Sequence, residues 1–271
     1  MTSARRDGRR STVLAAQAAI VAVALIAWEF LPKIAWLSER YRFLNKFFIS
    51  SPAKTFDRVL DMGLGRDGSF LVWEYLWRTI FAAMIGVVIG VVLGAAAGVL
   101  LSNAPFLNRV VHPFIVAINA TPRVAFIPVI VIMFGPSRGS SIAVSVLVVF
   151  FVVFFNAYEG GSTVAPHIVQ NAKILGASDL TILWRVRLPY VLAWTMAAFP
   201  VAIAFSLVSV VTAEVLTGYA GLGRLITTAT TNVDSSLTFA VVVYLAVIGA
   251  VIVGLAEWVK RRALHWWIAG G

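Results

Sequence analysis

From Thr79 to Leu101 the chain runs 23 residues without a charged side chain. As an α-helix this run is roughly 34 Å long, enough to cross the ~30 Å hydrocarbon layer of a bilayer. Lipid offers no water to the backbone, so a long apolar run of this kind satisfies its N–H and C=O groups as a helix. A second run of the same length, Val191 to Ala213, carries Pro200 as an expected kink. In the first run glycine recurs at Gly86, Gly90, Gly94 and Gly98. That spacing places all four on one face, a groove in which another helix can approach closely. The composition agrees with membrane residence: 60% hydrophobic and 13% charged residues. The predicted fold class is all-α, a polytopic membrane protein with six transmembrane helices. With no cysteine in the chain, disulfides and thiol chemistry are excluded.

The remaining spans follow from the same reading. Residues 1–74 are expected to form an N-terminal tail, a first span and an external loop. The tail holds Arg5, Arg6, Arg9 and Arg10, and an uncharged run from Ser11 to Trp28 follows. Glu29, Phe30 and Leu31 make a poor cleavage site, so this run is expected to remain as an uncleaved span. Residues 32–77 mix seven Lys/Arg with five Asp/Glu, and Phe47, Phe48, Trp73, Tyr75 and Trp77 predict segments at the membrane surface. The main membrane domain is expected over 75–258, with spans near 79–101, 113–134, 140–158, 191–213 and 238–256. A C-terminal tail, 259–271, opens with Lys260, Arg261 and Arg262. Arg-rich ends predict both termini in the cytoplasm. The net charge of +10 lies between spans. There it sets topology and meets anionic lipid, so no nucleic-acid partner is implied.

Chemistry-bearing residues are few. No glycine is followed by lysine, so the chain has no P-loop. His112, His167 and His265 are far apart and predict no metal site. Glu29, Glu159, Glu214 and Glu257 all fall at span ends, where solvated carboxylates are expected. The region Val110–Phe134 is broken by Pro113, Pro122 and Pro128 and contains Arg123. Irregular backbone at that depth is tolerated inside protein or beside a water-filled cavity. Asn119, Thr121 and Arg123 are therefore candidate path-lining residues. Ser206, Ser209 and Thr212 are others, at i, i+3 and i+6 of the later span. Bonding back to a carbonyl one turn earlier is the alternative for the hydroxyls. For Arg123 the alternative is a shallow position with its head at the inner surface.

The longest polar interval in the second half is Gln170 to Pro189, QNAKILGASDLTILWRVRLP. It reads as helix, break at Gly176, helix. Ser178 is the expected N-cap, with Asp179 in the first turn and Arg185 and Arg187 in the last. Pro189 is expected to end this helix or open the next. Leu180, Leu183 and Trp184 fall on one side and need a surface to lie on.

This interval resembles the EAA loop of ABC importer permeases: Glu-Ala-Ala, three residues, Gly, nine residues, Ile-x-Leu-Pro. Ala172, Gly176, Ala177, Ser178, Asp179, Leu188 and Pro189 keep the pattern, with Val186 for Ile. Gln170 and Asn171 replace Glu-Ala. TPRVAFIPVIVIMFG and TAEVLTGYAGLGRLI resemble two further stretches of the family, and the likeness covers roughly 75–258. It is greatest to the branch that imports sulfonates, taurine, nitrate and similar small compounds. The resemblance implies the type I importer fold and an inner-membrane permease without enzymatic activity. Residues 170–172, 176–179, 188 and 189 would meet an ATPase. ATP and Mg would sit on that subunit and no cofactor on this chain. The implied partners are a second permease copy or a homologue, two ATPases and an extracytoplasmic binding protein. A stand-alone channel or carrier, or a non-transporting membrane scaffold, are the alternatives, and only the importer gives the 170–189 loop a docking task.

Overall fold

The computed structural model describes residues 3–34, 36, 40, 41, 49–66 and 72–264. Phe47, Phe48 and His265 lie outside them. The described elements are helical: α1 (Ser3–Phe30), α2 (Pro52–Leu64), α3 (Val72–Ser102), α4 (Pro105–Ala120), α5 (Ile127–Phe134), α6 (Arg138–Ser162), α7 (Pro166–Ile174), α8 (Asp179–Ile182), α9 (Leu188–Thr217), α10 (Leu222–Thr231) and α11 (Ser235–Ala263). Among the described residues, five segments are long and apolar enough to cross a membrane, carried by α1, α3, α6, α8–α9 and α11. The bent pair α4–α5 makes a sixth if counted as one span.

Contacts group the chain into two units, residues 1–71 with 228–244, and residues 72–227 with 245–271. In the first, Ser51 caps α2, and the Trp28 indole N–H donates to the Ile49 carbonyl at 3.0 Å. The Tyr244 hydroxyl donates to the Val59 carbonyl at 2.8 Å. Asp234 opens α11 by accepting from the Leu237 N–H at 2.9 Å.

The core of the second unit is a three-helix packing of α3, α6 and α9. Val87, Val149, Val153, Ala202 and Ile203 are buried where the three meet. Lipid tails are as apolar as valine, so apolar burial alone gives these helices little reason to associate; close packing and polar contacts do. The glycine face of α3 supplies the close packing. A Cβ on Gly90 would stand 2.7 Å from Val149 Cβ, and one on Gly94 2.7 Å from the Phe150 carbonyl oxygen. A Cβ on Gly98 would stand 2.6 Å from Ala157 Cβ, and one on Gly86 would overlap the Ser145 hydroxyl. Polar glue sits at one level of the same interface. The Ser145 and Ser206 hydroxyls are 2.7 Å apart, and Ser206 Oγ donates to the Ala83 carbonyl at 3.0 Å.

α3, α6, α9 and α11 overrun the expected spans at both ends, while α5 ends at Phe134 as expected; α3 begins at Val72, which puts Trp73, Tyr75 and Trp77 in its first turns. Only Asn103 and Ala104 separate α3 from α4, because Pro105 opens α4 at its N-terminal position. Gly90→Leu and Gly94→Leu are each expected to destabilise the fold by at least about 1–3 kcal/mol through overpacking. Thermal unfolding in detergent checks this, with Gly249→Leu, whose Cβ meets nothing within 4 Å, as the neutral control.

Candidate functional site

Four features gather the chain's polar groups: the 166–189 arm, the bend after Ala120, the serine cluster, and Glu214.

The arm begins with α7, whose first position is Pro166. It ends in a Schellman turn. The Ala177 N–H donates to the Ala172 carbonyl at 2.9 Å and the Gly176 N–H to the Lys173 carbonyl at 3.0 Å. Gly176 takes φ +84°, the left-handed conformation that a Cβ disfavours. This explains the spacing Ala172-x3-Gly176: the two are the positions of one helix-end motif. Ser178 caps the next helix by accepting from the Thr181 N–H at 3.2 Å. Lys173 and Asp179 pair across the turn at 3.0 Å, both exposed. Gln170 and Asn171 are exposed as well.

Of the two outcomes expected at Pro189 the structure takes the second: no helix ends there, and Pro189 lies in the first turn of α9. Residues Leu183–Arg187 form one π-helical turn, closed by the Leu188 N–H donating to the Leu183 carbonyl, and α9 follows without a break. Proline has no N–H to return to the preceding turn, and the wider turn absorbs that missing donor. Arg187 is then not at a helix end of its own. It donates to the Ser102 carbonyl at 2.9 Å and to Asn103 Oδ1 at 2.7 Å, neutralising the negative C-terminus of α3. On the outside of the arm Ile174, Leu175, Leu180 and Trp184 are 81%, 87%, 64% and 62% exposed.

The bend lies between α4 and the 3-10 turn Arg123–Phe126 that leads into α5, and measures 86°. Pro122 drives Thr121 into extended backbone at ψ 130°. The Thr121 hydroxyl bonds back to the Ala117 carbonyl at 3.0 Å. Arg123 therefore stands at a bend and not in mid-helix. Its guanidinium donates to Asn119 Oδ1 at 3.0 Å and lies 5.9 Å from the centroid of the Phe155 ring.

The serines part company with the path-lining expectation. Ser206 is wholly buried and spent on Ser145 and Ala83. Ser209 is buried and donates to the Phe205 carbonyl at 2.6 Å. Thr212 donates to the Val208 carbonyl at 2.8 Å and is half-buried. Two of the three face protein because the same side of α9 packs on α3 and α6.

Glu214 overturns the expectation of a solvated carboxylate: it is 1% exposed. The Thr79 hydroxyl donates to it at 2.9 Å, and the Gly223 N–H at 3.0 Å. Thr79 in turn accepts from the Leu222 N–H at 2.9 Å. Leu222 and Gly223 open α10, so the carboxylate and hydroxyl satisfy the first orphan N–H groups of that helix, at its positive end. Gly221 lies flush on the carboxyl group, where a Cβ would overlap it. The sequence signal that could have found this was Glu214 followed closely by Gly221 and Gly223, glycines that permit backbone to reach a buried acceptor.

No group of three or more metal-ligating side chains occurs among the described residues.

This architecture has known counterparts. Residues 86–265 match the family described as "Binding-protein-dependent transport system inner membrane component", and the chain belongs to it. It is similar to the taurine transport system permease protein TauC of Escherichia coli (strain K12), 23% identical over 91% of this chain and 87% of the relative. It also resembles the formylaminopyrimidine transport permease protein ThiX of Halalkalibacterium halodurans, 27% identical over 62% of this chain and 69% of that one. The nitrate import permease protein NrtB of Leptolyngbya laminosa is 22% identical over 62% of this chain and 61% of that one. Among solved structures, a chain of the inward-facing MetNI methionine ABC transporter superposes with a TM-score of 0.61 at 17% identity, covering 71% of this chain and 96% of that one. The fold is thus that of an importer's membrane subunit, and the chain is a transport component, not an enzyme.

Removing either partner of the Glu214 cluster leaves buried donors or acceptors unsatisfied. Glu214→Ala and Thr79→Val are each expected to cost about 1–3 kcal/mol of stability. Because both serve one network, the double variant should cost less than the sum. Thermal unfolding of the three variants in detergent checks it.

Proposed function

We propose that this chain is the permease subunit of an ATP-driven importer of the bacterial inner membrane, carrying a small solute through its bundle by alternating access. The observation that carries the reading is the 166–189 arm. A turn fixed by hydrogen bonds and a left-handed glycine holds two short helices, and these present Ile174, Leu175, Leu180 and Trp184 to the outside. An exposed apolar patch rimmed by polar residues marks a protein-interaction site. The patch, with Gln170, Asn171 and the Ser178–Asp179 cap, docks on an ATPase that binds ATP and Mg. Two permeases, this chain twice or with a homologue, and two ATPases make the complex, and an extracytoplasmic binding protein delivers the solute. Both termini and the arm face the cytoplasm, in keeping with the basic residues near them. Relatives named for taurine and nitrate support a small oxyanion, and Arg123 at the bend offers the planar donor fork that suits one.

Two experiments test the reading. Gly176→Val adds no clash, since nothing lies within 4 Å of the new Cβ, but forces a branched side chain to φ +84°. That conformation costs roughly 1–2 kcal/mol, equivalent to about a five- to thirtyfold loss of the docked arm. The variant should insert normally and lose ATP-driven uptake in a reconstituted complex; unchanged uptake would argue against docking through the arm. Leu180→Cys in intact spheroplasts should resist a membrane-impermeant thiol reagent and react after permeabilisation. Reaction from outside would remove the proposed topology.

A further inference from the structure

The bend after Ala120 leaves a cavity of about 360 Å³ between α4, α6 and the start of α9. Its walls bring together the amides of Asn119 and Asn156, the carboxylate of Glu159 and the rings of Phe155 and Trp194. Arg123 stands at its edge, bonded to Asn119 at 3.0 Å and stacked 5.9 Å from Phe155, two of the residues that line it. Among the described residues Glu159 enters no ion pair. One charge of each sign therefore borders a small cavity, and neither is neutralised by the other or by a third group among those residues.

A lone anion entering this cavity gains from the Arg123 fork and is repelled by Glu159. A lone cation gains from Glu159 and the face of Trp194 and is repelled by Arg123. A small molecule bearing both charges meets a partner on each side, with Glu159 exposed and Arg123 half-buried at the groove. The volume lies at the small end of ordinary ligand pockets, about 300–1,000 Å³. We propose that this cavity is a solute subsite for a small zwitterion, its ammonium group at Glu159 and Trp194 and its oxyanion at Arg123. The proposal rests on the permease reading and narrows its solute from an anion to an amine-bearing oxyanion.

The test uses the full chain in lipid nanodiscs, with binding of β-alanine, propionate and ethylamine followed by ligand-observed NMR. The last two each lack one of the charges of the first. β-Alanine is expected to bind at least about tenfold more tightly than either, the size of one charged hydrogen bond. Glu159→Gln should bring β-alanine down to the level of propionate, and Arg123→Gln down to that of ethylamine. Trp194→Leu, which removes only a ring, should weaken β-alanine and ethylamine and leave propionate unchanged. Equal binding of the three probes by the parent chain, or a preference that survives all three substitutions, overturns the subsite. Uptake by the same chain assembled with its ATPase, measured in parallel, separates the two readings. A parent that imports solute yet shows no preference overturns the subsite alone, whereas a chain that assembles with no ATPase overturns the permease reading itself.

Discussion

The second unit depends on how closely α3 can approach α6. In water, burying valine would drive the two helices together; between lipid tails it does not, and the association relies on dispersion at short range and on polar contacts. Both require backbones to come near each other. Gly86, Gly90, Gly94 and Gly98 make this possible, each lying against a different turn of α6, from Ser145 to Ala157. Once the backbones are close, the Ser145 and Ser206 hydroxyls reach one another and the Ala83 carbonyl, a polar contact that a wider interface could not close. The steric condition therefore comes first and the hydrogen bonds follow from it.

The same logic explains why a carboxylate can be buried at the end of α9. An ionisable group inside a membrane protein is expensive unless its oxygens are met by donors. Glu214 is met by a hydroxyl from α3 and by the N-terminus of α10, whose first N–H groups need an acceptor in any case. Each element supplies what the other lacks, and Gly221 and Gly223 let the backbone come close enough for the exchange.

Much of this was legible in the sequence where the signal is local. The spans, the glycine face, the turn at Gly176 and the Ser178 cap all arise from residues within a few positions of each other. What was not legible is nonlocal or depends on a neighbour's geometry. Glu214 sits at a span end, where a carboxylate reads as solvated; its partner Thr79 is 135 residues away. Ser206 reads equally well as lining a path or as joining helices until α3 and α6 are placed beside it. Pro189 reads as a helix boundary because proline lacks an N–H, and nothing in the local pattern tells that one wide turn accommodates it. Arg187 looked like the cation at the end of its own helix, whereas the C-terminus it serves belongs to α3.

That wide turn also fixes how the arm moves. Had the helix broken at Pro189, the polar arm would swing on a hinge and most of any push on Leu180 or Trp184 would dissipate there. With Leu183–Arg187 wound into the helix, residues 179–217 form one rod of 39 residues, roughly 58 Å long. A helix without a break transmits tilt and twist along its length; the wide turn with Pro189, and Pro200, where backbone bonds are missing, give it local compliance. Leverage applied at the arm is therefore felt at the far end of α9, where Glu214 is fastened to α3 and α10.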